Sequence, residues 1–399
     1  MKKIVLLSIL VLLMLPLLVG CPSTGGDTDT PEVNVPTGDN VVVIGVYEPA
    51  SGDNGAGGKQ ETLGIQYANS ITPTVEIGDI TYEVKLEIVD NQSSNDKAVS
   101  AAQQLISANS SVILGSYGSG VSIAASDTFR DAGLAAIGVS CTNPNVTKGN
   151  DHYFRICFLD PFQGTVLANF AKEQFSAQKA YVLAKLGDDY SEGLAKFFTD
   201  AFGAENCIAD KFPDGTSDFS TYVANAKAQG CDVFFSPTSI EAAQLIIDQV
   251  AAQGANIPIL AGDTWDSNVI IDAAKGKDVE VFVTTFYQEG GAPQFDSGFK
   301  AWLNATPWAL ANNGGNDMIA AVSALGFDAY YVALDAMKKA GSIDKAAILG
   351  VLPSLNYPGG ATGDIKFDPI GDAFRNSAFV KKANTAAGDW EFIKLQVIE

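Results

Sequence analysis

Apolar residues fall along this chain in short blocks separated by polar and small-residue breaks. The run Val41-Val42-Val43-Ile44-Gly45-Val46 has no polar interruption, which is the signature of a strand covered on both faces. A glycine loop at 51–58 follows, and 59–70 reads as a helix with Leu63, Tyr67 and Ile71 four apart. Gly78-Asp79 stands where a hairpin would turn, and Val84, Leu86 and Ile88 then alternate as a strand. Asn95-Asp96 can cap a helix carrying Val99, Ala102, Leu105 and Ile106. Val112-Ile113-Leu114 is a further short strand, 121–129 a helix and 134–139 a strand. This repetition predicts a mostly parallel sheet with helices on both faces.

The rhythm restarts after Tyr153-Phe154-Arg155-Ile156-Cys157-Phe158. Strands are expected at 181–184, 207–212, 233–235, 257–261 and 279–285, with helices at 191–202, 217–229 and 240–253. Two copies of one architecture without a Pro/Gly linker predict two lobes joined by strands. Beyond Thr285 the pattern is helical at 295–303, 319–339 and 345–352 and is expected to return to the first lobe. A closing strand pair, 363–367 and 378–382, is expected in the second.

The stretch Val112 to Phe129 carries the chemistry. A buried strand ends at Gly115-Ser116-Tyr117-Gly118-Ser119-Gly120, and a helix opens directly afterwards. The first turn of a helix presents unpaired N–H groups and the positive end of the macrodipole, so it attracts an anion. The glycines let backbone approach closely and Ser119 adds a hydroxyl. A small carboxylate, bound and not transformed, fits this corner. Ser119 and Thr142 are also ordinary cap or turn residues, and Asp263 could cap a helix near Asn268.

Charge and motifs remove several other classes. The formal net charge of −21 and the absence of a basic stripe argue against nucleic acid. Residues 51–60 are glycine-rich, yet Asp53 and Gln60 stand where a phosphate loop needs Gly and Ser or Thr, and Gln60 also breaks the dinucleotide pattern. His152, the only histidine, is preceded by no G-x-S-x-G elbow and is read as solvated or packed at a hinge. Asp188-Asp189 and Asp210…Asp214 lack EF-hand spacing, and the cysteines show no zinc-type clustering. No cofactor or metal is expected, and Cys141, Cys157, Cys207 and Cys231 are read as free, mostly buried thiols, although the compartment would permit a Cys207–Cys231 bridge.

The N-terminus is the sharpest signal. Lys2-Lys3 precedes fifteen uncharged residues, too few for a spanning helix and fitting a signal-peptide core. Leu18-Val19-Gly20-Cys21 looks like a bacterial lipobox, so Cys21 is the expected lipidation site, followed by a Pro/Ser/Thr/Gly/Asp tether. The body is then expected outside the cell membrane, touching it only through the N-terminal lipid.

Ile44–Pro49, Asp90-Asn91-Gln92-Ser93, Gly115–Gly120, Cys141-Thr142-Asn143-Pro144, Phe162-Gln163-Gly164, Tyr190-Ser191-Glu192-Gly193-Leu194, Gly262-Asp263-Thr264-Trp265-Asp266-Ser267, Gly326-Phe327-Asp328-Ala329-Tyr330 and Gly363-Asp364-Ile365-Lys366-Phe367 stand in one order. With these, the body from Val41 onward resembles the leucine/isoleucine/valine-binding proteins, type I solute-binding subunits of ABC importers. The resemblance implies an α/β fold of two doubly wound parallel-sheet lobes joined by three crossover strands, closing as a hinge. It divides the chain into a lipoprotein signal peptide (1–20), a tether (21–40), an N-terminal lobe (41–157 plus 287–353) and a C-terminal lobe (158–286 plus 354–399). It implies a monomer that captures an amino acid, branched-chain or otherwise hydrophobic, and delivers it to the permease transmembrane subunits. A sensory role, or an amide or amine-free carboxylate as ligand, stays open.

Site residues follow from the same resemblance. Ser119 and Thr142 match the residues that hold the ligand carboxylate, with Cys141 beside them. Asp263 matches the acidic partner of the ammonium, and the Ser140 carbonyl is its second acceptor. Tyr190 matches a second-lobe tyrosine that meets the ligand on closure. The chain departs where family aromatics fall on Gly57 and on Thr238 or Ser239, changes expected to enlarge the pocket or make it more polar. Trp265, Phe286 and Tyr287 are the expected replacements.

Overall fold

The computed structural model describes residues 40–398. The expected signal peptide (1–20), nearly all of the tether and the Cys21 lipidation site lie outside the described residues. Among the described residues, no helix is long and apolar enough to cross a membrane.

The first sheet contains β1 (Val41–Glu48), β2 (Thr74–Ile77), β3 (Ile80–Asp90), β4 (Val112–Leu114), β5 (Ala136–Gly138) and β6 (Tyr153–Arg155) in the order β2-β3-β1-β4-β5-β6. All pairs are parallel except the β2–β3 hairpin, which turns at Gly78-Asp79 as its sequence indicates. Strands β4, β5 and β6 are buried at every position, which explains their continuous apolar runs.

The second sheet contains β7 (Ala180–Lys185), β8 (Cys207–Phe212), β9 (Val233–Phe235), β10 (Ile259–Ala261), β11 (Val281–Thr285) and two later strands. Of the remaining strands, β12 (Asn356–Gly360) and β13 (Gly363–Lys366) form a separate hairpin. Strands β14 (Ser377–Asn384) and β15 (Asp389–Val397) complete the second sheet in the order β15-β14-β11-β10-β9-β7-β8. The closing strand pair expected from sequence is therefore corrected. Segment 363–367 pairs locally, while β14 pairs antiparallel with β11 and β15.

Both lobes draw on distant sequence. Helix Ala321–Ala340 packs against helix Gly55–Ile71 of the first lobe, and Ser323 donates its hydroxyl to the Gln60 carbonyl at 2.8 Å. The chain passes between the sheets three times, after β6, after β11 and before β14. These crossings are mostly irregular segments, not the regular strands expected. At the first two, Phe158 and Phe286 stack with ring centroids 4.2 Å apart. At the third, Asp372 bridges back to Arg155 of β6. All four described cysteines are free thiols.

Candidate ligand cleft between the two lobes

Helix Ser119–Asp131 begins directly beyond β4, so its first turn lies at the carboxyl edge of the first sheet, where ligands of doubly wound sheets bind. Ser119 is buried, and its Oγ accepts the Asn143 N–H at 3.2 Å. Thr142 is fully buried, with no hydrogen-bond partner for its Oγ1 among the described residues. A buried hydroxyl left unpaired by the protein is available to a ligand.

Arg155, absent from the sequence-based list of site residues, holds this corner in place. Its guanidinium donates to the Cys141 carbonyl (3.0 Å), the Asn143 carbonyl (2.5 Å) and Thr147 Oγ1 (3.1 Å), and to Asp372 Oδ1 at 2.5 Å. The fork geometry of Arg suits a fully buried ion pair with several acceptors. Cys141 itself is buried and offers its carbonyl to Arg155, so it shapes the loop.

The second lobe supplies Asp263, two residues beyond the end of β10. Gly262 is required before it: a Cβ there would lie 2.2 Å from the Tyr190 hydroxyl. Tyr190 donates to Asp263 Oδ1 at 3.1 Å, and burial pushes the Asp263 carboxyl up to about 7 while that hydrogen bond pulls the other way. Asp160, at the start of helix Asp160–Phe175, is fully buried without a basic partner, and burial, helped by the Asp263 charge and opposed by the nearby Thr142 hydroxyl, raises it to about 8.

Two more carboxyl groups close the inner end, and the sequence reading missed both. Glu48 ends β1 and accepts the Tyr117 N–H at 2.7 Å. Glu61, on helix Gly55–Ile71, accepts the Ser140 hydroxyl. Burial raises Glu61 to about 7, and burial with the Glu61 charge lifts Glu48 well above the carboxylate range. The helix is buried on more than one face, with Gly57, Glu61 and Ile65 covered as well as the expected Leu63 and Tyr67, so its apolar spacing alone did not mark Glu61. The stripe expected from Leu63, Tyr67 and Ile71 ends on a residue that is 52% exposed.

The expected enlargement at Gly57 does not occur. The Tyr117 ring lies over this glycine, where a Cβ would approach it to 2.4 Å. Tyr117 then reaches across the cleft, donating to the Thr264 carbonyl at 2.9 Å. The three aromatics expected to refill the pocket lie elsewhere. Trp265 is fully buried in the second-lobe core and donates Nε1–H to the Thr238 carbonyl, Phe286 packs on Phe158, and Tyr287 bonds Asp296. His152 sits beside Asp151 at 2.7 Å, away from the cleft.

The lobes meet elsewhere as well. Lys185 reaches Asp53 at 2.5 Å, and Asn143 donates to the Asp189 carbonyl at 2.7 Å. Between them, Ser119, Tyr117, Tyr190, Asp188, Ser239 and Thr264 enclose a cavity of about 40 Å³. That is room for a few waters, so the two lobes are closed on each other.

A two-lobed receptor cleft of this geometry has known relatives. The model of the periplasmic binding protein family matches residues 41–387. The chain belongs to that family. This periplasmic binding protein is 30% identical over 250 residues to Leu/Ile/Val-binding protein homolog 1 of Brucella suis, covering 61% of this chain and 66% of that one, just under two thirds of its length. Its fold superposes with a TM-score of 0.77 on the leucine-binding protein LivK of Thermotoga maritima, at 31% identity, covering 89% of this chain and 98% of that one. The branched-chain amino acid transporter substrate-binding protein LivJ of Streptococcus pneumoniae, solved with isoleucine, also superposes with a TM-score of 0.77. There the identity is 22%, and coverage is 90% of this chain and 99% of that one. Members of the family bind solutes and are not enzymes.

Proposed function

We propose that this periplasmic binding protein is the amino-acid receptor of an ABC importer, and that it hands its ligand to the permease subunits. One observation carries the reading. The same closed cleft presents a helix start with hydroxyl groups on one lobe and, on the other, a buried carboxylate without a basic side chain. That pattern is complementary to a zwitterion. The carboxylate of the amino acid would bind Ser119, Thr142 and nearby N–H groups, and its ammonium would bind Asp263 and the Ser140 carbonyl. Tyr190 meets the ligand from the second lobe, Cys141 shapes the loop at the carboxylate corner, and Trp265 and Phe286 pack behind the cleft. The names of the relatives favour a branched-chain or other hydrophobic side chain.

The lobes would comprise 41–157 plus 287–353 and 158–286 plus 354–399. They would close on the ligand as a monomer held to the membrane through lipidated Cys21. Binding would shift an open–closed equilibrium toward the closed form read by the permease.

Thermal unfolding of the body from Asn40, refolded to strip carried ligand, tests the reading against the proteinogenic amino acids and amine-free aromatic acids. A ligand at 100 times its Kd should add about 2.7 kcal/mol of stability. A shift with amine-free acids alone would remove the role of Asp263.

A further inference from the structure

Glu48, Glu61, Asp160 and Asp263 are buried at the inner end of the cleft, and no basic side chain pairs with any of them among the described residues. The nearby buried cations are committed elsewhere, Arg155 to Asp372 and Lys381 to Asp266. Glu61 stands apart within this group. Its Oε2 accepts the hydroxyl of Ser140, the residue whose carbonyl is assigned to the ligand ammonium, and its carboxyl group meets only a second acid, Glu48, with which it shares a hydrogen bond. Thr142, two residues further along the same loop, is also fully buried with its Oγ1 unpaired. The Glu48–Glu61 pair is thus buried without a cation, beside a threonine hydroxyl that no donor or acceptor holds at full hydrogen-bond geometry, and a buried acid pair is costly until a cation joins it.

We propose that Glu61, backed by Glu48, is a third acceptor for the ligand's ammonium group and gives up a proton when the amine enters. The inference rests on the amino-acid reading above and adds a residue and a proton step to it. Glu61 is faced by Glu48 from β1, by Ser140 and Cys141 from the loop after β5, and by Asp263 from the second lobe. None of these is cationic, and burial raises the proton affinity of Glu61 against the pull of its hydrogen bonds to Glu48 and Ser140, so below about pH 7 the acid pair holds an extra proton before the ligand arrives. The incoming group is already –NH3+. As it settles against Glu61, the carboxyl O–H proton leaves to solvent, and a carboxylate–ammonium pair remains. An ammonium has three N–H donors, and Asp263, the Ser140 carbonyl and Glu61 Oε1 supply three acceptors. An amine-free acid offers nothing to these groups, so the subsite selects for an amine.

The test is calorimetric titration of the refolded protein with L-leucine, at pH 6 and pH 8, in buffers of different ionisation enthalpy. The wild type should release protons at pH 6 and bind more tightly at pH 8. E61Q should weaken binding at pH 8 at least tenfold and lower the number of protons released at pH 6. Wild-type binding with an E61Q variant unchanged in both affinity and proton count overturns the assignment of Glu61 alone. No binding of any amino acid by the wild type overturns the amino-acid reading, and this inference with it. E48Q is the second variant: Glu48 backs Glu61 without touching the ligand, so E48Q should change the proton count more than the affinity at pH 8. An unchanged proton count in E48Q removes Glu48 from the proposal.

Discussion

The Tyr117 hydroxyl of the first lobe donates to the Thr264 carbonyl of the second at 2.9 Å, and the Tyr117 N–H binds Glu48 at 2.7 Å. One residue therefore connects the inner acidic pair to the opposite wall of the cleft. Tyr117→Phe removes the bond between the lobes and keeps the ring over Gly57. The net value of such a bond is about 0.5–1.5 kcal/mol, so Kd should rise roughly two- to tenfold with little change in the stability of the ligand-free form. Calorimetry and thermal unfolding of the same variant check both halves.

Asp263→Ala should weaken amino-acid binding by several kcal/mol, because it leaves the ammonium unpaired in a buried site. Without ligand, the same change removes an uncompensated buried carboxyl group and should not lower the unfolding midpoint at pH 8. Equal affinity in variant and wild type would remove Asp263 from the site.

Stability without ligand should fall as pH rises. Glu61 and Asp263 are raised to about 7 and Asp160 to about 8, mainly by burial, from the ordinary carboxyl range at about 4. Between pH 4 and 8 the native state then binds more protons than the unfolded state, so the unfolding free energy declines with pH. The contribution is complete below about pH 4 and is lost as pH passes 7 to 8. Each such proton contributes a slope of up to about 1.4 kcal/mol per pH unit. Unfolding midpoints at pH 5 and pH 8 test the sign, and a saturating amino acid should narrow the gap by supplying a cation.

Arg155→Met should destabilise the fold by about 3–5 kcal/mol, since it leaves Asp372 buried without a partner and frees the carbonyls of Cys141 and Asn143. Arg155→Lys should restore only part of this, because an ammonium cannot reproduce the fork. Denaturant titration of both variants measures the difference.

Much of the fold is legible in the sequence. The central strands β1, β4, β5, β9, β10 and β11 read as short apolar runs because both faces of each are covered, and the helix start at Ser119 follows from where β4 stops. The last strands were harder to read. β12 carries Pro358, Gly359 and Gly360, residues depleted in strands, while β15 is a half-exposed edge whose register shifts against β14. Sequence alone fixed the alternation of strand and helix and the placing of Ser119 and Thr142 at strand ends, because both depend on local periodicity. Only the tertiary structure decided that Tyr117 fills the space above Gly57, that Arg155 clamps the loop at Cys141 and Asn143, and that Glu48 and Glu61 meet beneath Ser140. Those contacts join residues from 12 to 79 positions apart, and no local pattern specifies which side chains a folded chain brings together or leaves without a counter-charge.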